Sequence, residues 1–251
     1  MIAQGVSPEW LQLREPADAA ARSAELAERL ARHLPSAGRL EIHDLGGGSG
    51  AMGRWLAPRL PAPQRWVVHD RDEDLLARAA AGSEVRRSDI TRLAPDDLAG
   101  ASVVTASALL DLLTREELAR MLGACAGRPV LLALTVTGRV TLTPAEPLDE
   151  RIAAAFDAHQ RRDGRLGPHA TGAAAAQLRA TGAEVLVGPS PWRLGGADAD
   201  LIAAWLDGWV AAACEQEPAL DAAAYRDRRL AQAAAGELAV TVDHADVLAL
   251  P

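Results

Sequence analysis

The chain has 251 residues with a hydrophobic fraction of 49% and a charged fraction of 24%, the balance of a globular protein able to bury a sizeable core. Its formal charge of −8 repels phosphate backbones, and the arginines at 86–87 and at 161, 162 and 165 are too few to reverse that field, so nucleic acid is not an expected partner. No basic-then-apolar leader opens the sequence, no apolar run of about 18 residues occurs, and Cys125 and Cys214 lack metal-ligand spacing; a cytoplasmic protein without a membrane span is expected.

Residues 17–34 place Leu26, Leu30 and Leu34 at i, i+4 and i+8, which predicts a helix ended by Pro35. Leu40-Glu41-Ile42-His43 reads as a strand running into a glycine cluster, with a helix over 51–60 stopped by Pro61 and Pro63. A second strand at 65–69 ends in Asp70, and a helix over 73–81 is closed by Gly82. Strands are expected at 84–87 and 101–106. Thr114, with Glu116 and Glu117 in the first turn behind it, starts a helix. The apolar run 129–136 is a fifth strand.

The second half is less regular. It predicts a helix over 147–162, a glycine-bearing loop over 163–172, a helix capped by Thr171, a strand at 183–187 and alanine-rich helices at 201–213 and 219–235. Residues 237–242 form the last strand, with 247–250 pairing beside it. Strands alternating with helices imply a parallel α/β sheet covered on both faces, and one domain over 1–251 accommodates every element.

A strand ending in an acid, then Gly-x-Gly-x-Gly, then a helix is a nucleotide-binding turn, because glycine removes the Cβ that would keep a ligand off the backbone. Here it is Asp44-Leu45-Gly46-Gly47-Gly48-Ser49-Gly50. The second strand ends in Asp70 about twenty residues later, where a carboxylate can accept from ribose hydroxyls. Residues 48–53 also match Gly-x-Gly-x-x-Gly of nicotinamide and flavin enzymes, but that frame leaves Asp44 to Gly47 between the strand and its first glycine. The frame from Asp44 fits better. An NAD(P)-dependent dehydrogenase and a non-catalytic binding protein stay open as alternatives.

In order and spacing these landmarks resemble the class I S-adenosylmethionine-dependent methyltransferases over residues 40–136, and the flanks 10–18 and 189–194 look like parts of a bacterial small-molecule subgroup. The resemblance implies a Rossmann-like, seven-stranded, mostly parallel sheet with helices on both faces and an antiparallel strand near the C-terminus. It implies S-adenosylmethionine as methyl donor, S-adenosylhomocysteine as product, and no metal. Asp44, Gly46, Gly48 and Gly50 would lie against the methionine portion, Asp70 at the ribose, and Asp89 and Ile90 at the adenine, with Arg71 also binding the cofactor. Ser107, in the segment 105–111, would face the sulfonium. The acceptor would be a small molecule, methylated on a nucleophilic atom, with oxygen the first choice. Base methylation loses weight because the fourth strand lacks the Asn/Asp-Pro-Pro-aromatic tetrad. The absence of lysine removes Schiff-base and pyridoxal phosphate chemistry altogether.

The acceptor side is read residue by residue. His159 shares an apolar helix face with Leu148, Ile152, Ala155 and Phe156, and is either a general base or a core histidine. His169, in the glycine-bearing loop where functional residues concentrate, is a second candidate for the base. Asp111 either lies near the acceptor or begins the turn before Thr114. Trp192 either walls the acceptor pocket or packs a strand end. Arg14 and Arg22 either meet the cofactor carboxylate from an N-terminal helical lid over 1–36 or lie on a solvated face. The acceptor wall is expected from 145–181 and 189–235, with at least two of His159, His169 and Trp192 lining one cavity that runs on from the sulfonium site.

Overall fold

The structure, a computed structural model, describes residues 7–61, 63–79 and 82–251. Its centre is a parallel sheet of β1 (Leu40–Leu45), β2 (Gln64–Asp70), β3 (Glu84–Arg87), β4 (Val103–Ser107) and the first part of β5 (Val130–Thr143). Consecutive residues of these strands feed opposite faces. Val104, Val130 and Leu132 pack with Leu118, Met121 and Leu178 on one side. Ile42, Val103 and Leu131 pack with Leu26, Leu30 and Trp55 on the other. A sheet covered on both faces needs such unbroken apolar runs rather than an alternation.

The full strand order is β3-β2-β1-β4-β5-β8-β6, where β6 is Glu184–Pro189 and β8 is Ala239–Leu250. β8 runs antiparallel to both β5 and β6, so the expected seven-stranded sheet with its antiparallel strand is present. A short eighth strand, β7 (Trp192–Leu194), pairs with the outer half of β8.

Several element boundaries differ from expectation. Residues 237–242 and 247–250 are not two paired strands but parts of one 12-residue strand. The polar stretch between them holds Asp246, whose carboxylate accepts from Leu134 N (2.8 Å) and Ser23 N (2.8 Å), so the polarity marks a junction rather than a break. The helix expected over 17–34 is two helices, α1 (Pro8–Ala21) and α2 (Ala24–His33). Ser23 separates them: its hydroxyl caps α2 by accepting from Leu26 N while its own N–H is drawn to Asp246. Helix α3 is Ala51–Leu56, and α4 is a single turn, Glu73–Leu76; the end of the helix expected there, 80–81, lies outside the described residues, as do residues 1–6 of the N-terminal segment. Thr114 does cap α5 (Arg115–Ala124), in a reciprocal box with Glu117.

β5 continues well past residue 136 and pairs with β8 as a ribbon, to whose outer half β7 adds, with register shifts between Leu132 and Thr135 and between Val136 and Val140. Ser107, the last residue of β4, pairs with Ala133, so the ribbon stands beyond the carboxyl edge of the parallel strands. Helices α6 (Asp149–Gln160), α8 (Ala199–Gln216) and α9 (Ala223–Ala234) pack on it through Leu142, Val240, Leu206 and Trp209. Arg229, fully buried on α9, is held by both carboxylate oxygens of Asp149 (2.6 and 2.8 Å) and by the Pro144 carbonyl. Helix α7 (Ala170–Ala180) packs on the opposite sheet face, and it begins at Ala170 without the Thr171 cap. Among the described residues no helix is long and apolar enough to cross a membrane.

Candidate functional site

The turn after β1 is built so that backbone replaces side chain. Gly48 sits at φ +52°, where an L side chain is strained, and its N–H donates to Asp70 Oδ2 (2.9 Å). Asp70 Oδ1 accepts from Asp72 N (3.0 Å), so the carboxylate that ends β2 is wired to the glycine turn. Gly47 has an ordinary φ, yet a Cβ there would lie 2.4 Å from Asp44 Oδ2 and 2.9 Å from Val68 Cγ1. The position the motif writes as "x" is thus filled by the closest backbone packing of the turn.

These groups open onto a cavity of about 500 Å³ at the carboxyl ends of β1, β2 and β4. Asp44, Gly46, Gly48, Asp70, Arg71, Asp89, Ile90 and Ser107 line it, as does Ser88. Gly50 does not; it stands at the N-cap of α3 with φ +82°. Asp89 Oδ1 accepts from the backbone and hydroxyl of Thr91, bonds that hold its carboxyl below the usual range.

Two buried groups in this cavity are incompletely satisfied. Asp44 is fully buried; its Oδ1 accepts from the Thr105 hydroxyl (2.7 Å) and its Oδ2 has no partner. Burial pushes this carboxyl up to about 7, against the pull of the Thr105 bond and the Arg22 charge. Arg22 is 4% exposed; its Nη2 donates to Ser107 Oγ (3.2 Å), while Nε and Nη1 have no partner. Burial lowers its pKa as well. Unpaired buried polar atoms of this kind are each worth about 1–3 kcal/mol of penalty, and groups of opposite charge in one cavity call for a ligand that carries both signs. The solvated-face reading of Arg14 and Arg22 is thereby corrected: both face the cavity. Arg14 binds Asp18 through two N–H groups (2.9 and 3.1 Å) and lies 5.0 Å above the Trp192 ring.

A second cavity, of about 240 Å³, shares Arg14, Ala108 and Leu112 with the first. Trp10, Trp192, Trp205, Trp209 and Phe156 wall it, and beside Arg14 its polar groups are Asp111, Arg139, Asp157, Gln160, Asp243 and His244. Trp192 is anchored by its N–H, which donates to Asp18 Oδ1 (2.9 Å). Burial raises the Asp111 and Asp157 carboxyls. His244 is pushed down to about 4 by burial, so its imidazole is neutral at pH 7.

Of the three side chains expected to share this cavity, only Trp192 does. Helix α6 turns Phe156, Asp157 and Gln160 toward it, which carries His159 about a third of a turn away, onto Glu215 Oε2 of α8 (3.2 Å). His169 is exposed at the start of α7 and lines neither cavity. Sequence reasoning passed over Trp205 and Trp209, whose i, i+4 spacing on α8 was available as a signal, and Asp157, which had none.

No protein-family model matches the sequence, and no curated protein matches it either. Solved structures do. The chain is similar to the cyclopropane synthase MmaA2 of Mycobacterium tuberculosis, at 14% identity over 98% of this chain and 95% of that one, with a TM-score of 0.51. It is similar also to a candidate type II methyltransferase from Anaeromyxobacter dehalogenans, at 17% identity over 92% and 96% of the two chains, with a TM-score of 0.50. The fold is that of the class I methyltransferases.

Proposed function

We propose that the protein transfers a methyl group from S-adenosylmethionine to a small molecule held in the second cavity. The observation that carries this reading is the pair of unsatisfied buried groups in the first cavity, the Asp44 Oδ2 acceptor and the Arg22 Nε and Nη1 donors. An α-amino acid offers the ammonium and the carboxylate that complete them, and the methionine end of the cofactor is an α-amino acid. Asp70, with Arg71 beside it in the lining, would accept from ribose hydroxyls; Asp89 and Ile90 would border the adenine. When bound, the cofactor supplies an electrophilic methyl group on a sulfonium.

The chain's own contribution is alignment and desolvation. Ser107 holds Arg22 by its hydroxyl, and Arg14, Ala108 and Leu112 form the passage between the two cavities. α1 and α2 act as the lid, and segments 145–181 and 189–235 furnish the acceptor wall through Phe156, Trp192, Trp205 and Trp209. Asp111, in that wall, is the side chain that can take up a proton from the acceptor. His159 and His169 have no part in this scheme. No residue of this lining supports the expectation of oxygen as the methylated atom. The negative net charge suits a small-molecule acceptor rather than nucleic acid, in the cytoplasm.

Calorimetry on the full chain tests the reading. Both S-adenosylmethionine and S-adenosylhomocysteine should bind, and reduced nicotinamide cofactors should not. Arg22→Met should weaken binding by roughly 10- to 100-fold, since a charge-assisted hydrogen-bond pair is lost. Binding of a nicotinamide cofactor in place of S-adenosylmethionine would overturn it.

A further inference from the structure

The second cavity gathers most of the chain's aromatic surface. The sequence holds six tryptophans and one phenylalanine, and Trp10, Trp192, Trp205, Trp209 and Phe156 all border this one space. Trp205 and Trp209 are stacked, with centroids 5.0 Å apart and planes at 20°. Trp10 and Trp192 stand tilted at 59°, 6.3 Å apart. Indole faces carry negative electrostatic potential and attract cations. The fold already uses this: the Arg14 guanidinium stands over both Trp192 and Trp10.

The charges around the aromatic walls have the same sign preference. Arg14 is neutralised by Asp18. Arg139, the other cation of the lining, is 80% exposed and 3.9 Å from Asp243. Asp111 and Asp157 form no ion pair among the described residues, although the fields of Arg14 and Arg165 act on the first and that of Arg161 on the second. His244 contributes no charge near neutral pH. An anion would meet carboxylates without counterions, and a neutral apolar ligand would desolvate them and give nothing back. Trp209 adds an independent indication of a ligand: it is 1% exposed, it lines the cavity, and its indole N–H has no partner. That donor fits an oxygen on the same molecule.

Resting on the reading of the first cavity as the methyl-donor site, we propose that the second cavity selects an organic amine as acceptor, bound as its cation between the indole faces and the carboxylates of Asp111 and Asp157. An ammonium has no lone pair to offer. Asp111 adjoins Leu112, which borders both cavities, and its carboxylate takes one proton from the nitrogen, leaving a neutral amine and a protonated carboxyl. Burial, which disfavours the ionised Asp111, helps it keep that proton.

Tryptophan fluorescence reports this cavity directly. The full chain, with and without S-adenosylhomocysteine, is titrated near neutral pH with choline, with 3,3-dimethylbutan-1-ol, which replaces the nitrogen by carbon, and with 3,3-dimethylbutanoate. Choline should bind at least about 10-fold more tightly than the neutral alcohol, the carboxylate should bind worst, and Asp157→Asn or Trp205→Leu should erase the preference. Unchanged S-adenosylhomocysteine affinity in those variants shows that they fold. The proposal is overturned if the alcohol matches choline, if the carboxylate binds best, or if choline produces no response. A chain that fails to bind S-adenosylhomocysteine sinks the donor-site reading separately, because the choline comparison is also made without it.

Discussion

Gly47 and Asp44 show how much of the site is decided within a few ångströms. The acid and the glycines of the turn are contiguous in the chain, so their kinship is legible from residue order alone. What residue order does not reveal is that Gly47, rather than the named motif positions, lies against the Asp44 carboxylate and Val68. Gly47→Ala should therefore destabilise the fold by about 1–3 kcal/mol, measurable by urea denaturation, because its Cβ overlaps the buried side chains of Asp44 and Val68 and forces them to shift. Arg22 is equally opaque: that a guanidinium is buried and half-satisfied is a property of tertiary packing, and no local pattern records it. Asp44 gives the cofactor reading a pH signature. Its carboxyl titrates at about 7 in the free protein, and an ammonium prefers the ionised form. Affinity for S-adenosylmethionine should rise about tenfold per pH unit below that value and level off above it, with proton release on binding below pH 7. Asp44→Asn should flatten this profile. Calorimetry in buffers of different ionisation enthalpy measures both quantities, and a pH-independent affinity in the parent would remove Asp44 from the ammonium.

At the scale of elements, the β5–β8 ribbon joins the sheet to the acceptor wall, and its bend is set by Leu134. This residue has φ +56°, unusual for a leucine, at the register shift where β5 leaves the parallel sheet. Its N–H reaches Asp246 Oδ1, and the other carboxylate oxygen takes the N–H of Ser23 where α1 gives way to α2. One buried carboxylate thus fixes the ribbon bend and the helix break together. Asp246→Ala should lower stability by roughly 2–4 kcal/mol, since it strands two backbone donors, while Asp246→Asn keeps one acceptor and should lose less. Thermal unfolding of the two variants compares them, and equal losses would deny the double role. The same junction explains why the element boundaries here depart from the sequence pattern. Asp243 and Asp246 interrupt an apolar pattern, which makes one strand read as two, and a helix pattern running through Ser23 conceals a break imposed by a residue more than 200 positions away. The strands of the parallel half are legible because a doubly covered sheet writes its burial directly into composition.

Over the whole molecule, buried titratable groups of opposite tendency sit in different places, and each contributes to the pH dependence of stability. His69 lies in the sheet between His43 Nδ1 (3.0 Å) and Ser88 Oγ (3.1 Å), and His244 lies against Trp192 in the second cavity. Burial pushes each down to about 4. A depressed histidine gives stability that is present above its unfolded pKa of 6.5 and is lost as pH falls toward its folded value, about 3 kcal/mol for each ring. Asp44 acts the other way. Raised from 3.8 to about 7, it gives stability that is complete below the unfolded value and is lost as pH climbs through the folded one, a swing of about 4 kcal/mol. Between pH 7 and 4 the carboxyl therefore offsets part of what the histidines lose. Replacing it separates the two. Without ligand, Asp44→Asn should gain on the parent steadily as pH rises from about 4 to about 7, because the variant never has to bury a bare charge. His244→Phe should show the mirror image, gaining on the parent as pH falls from 6.5 toward 4. Melting temperatures across that range read both differences. Saturating S-adenosylmethionine should reverse the first above pH 7, since the ligand's ammonium stabilises the carboxylate that the variant lacks; an Asp44→Asn advantage that persists with ligand present would show that the charge at this position serves no ligand.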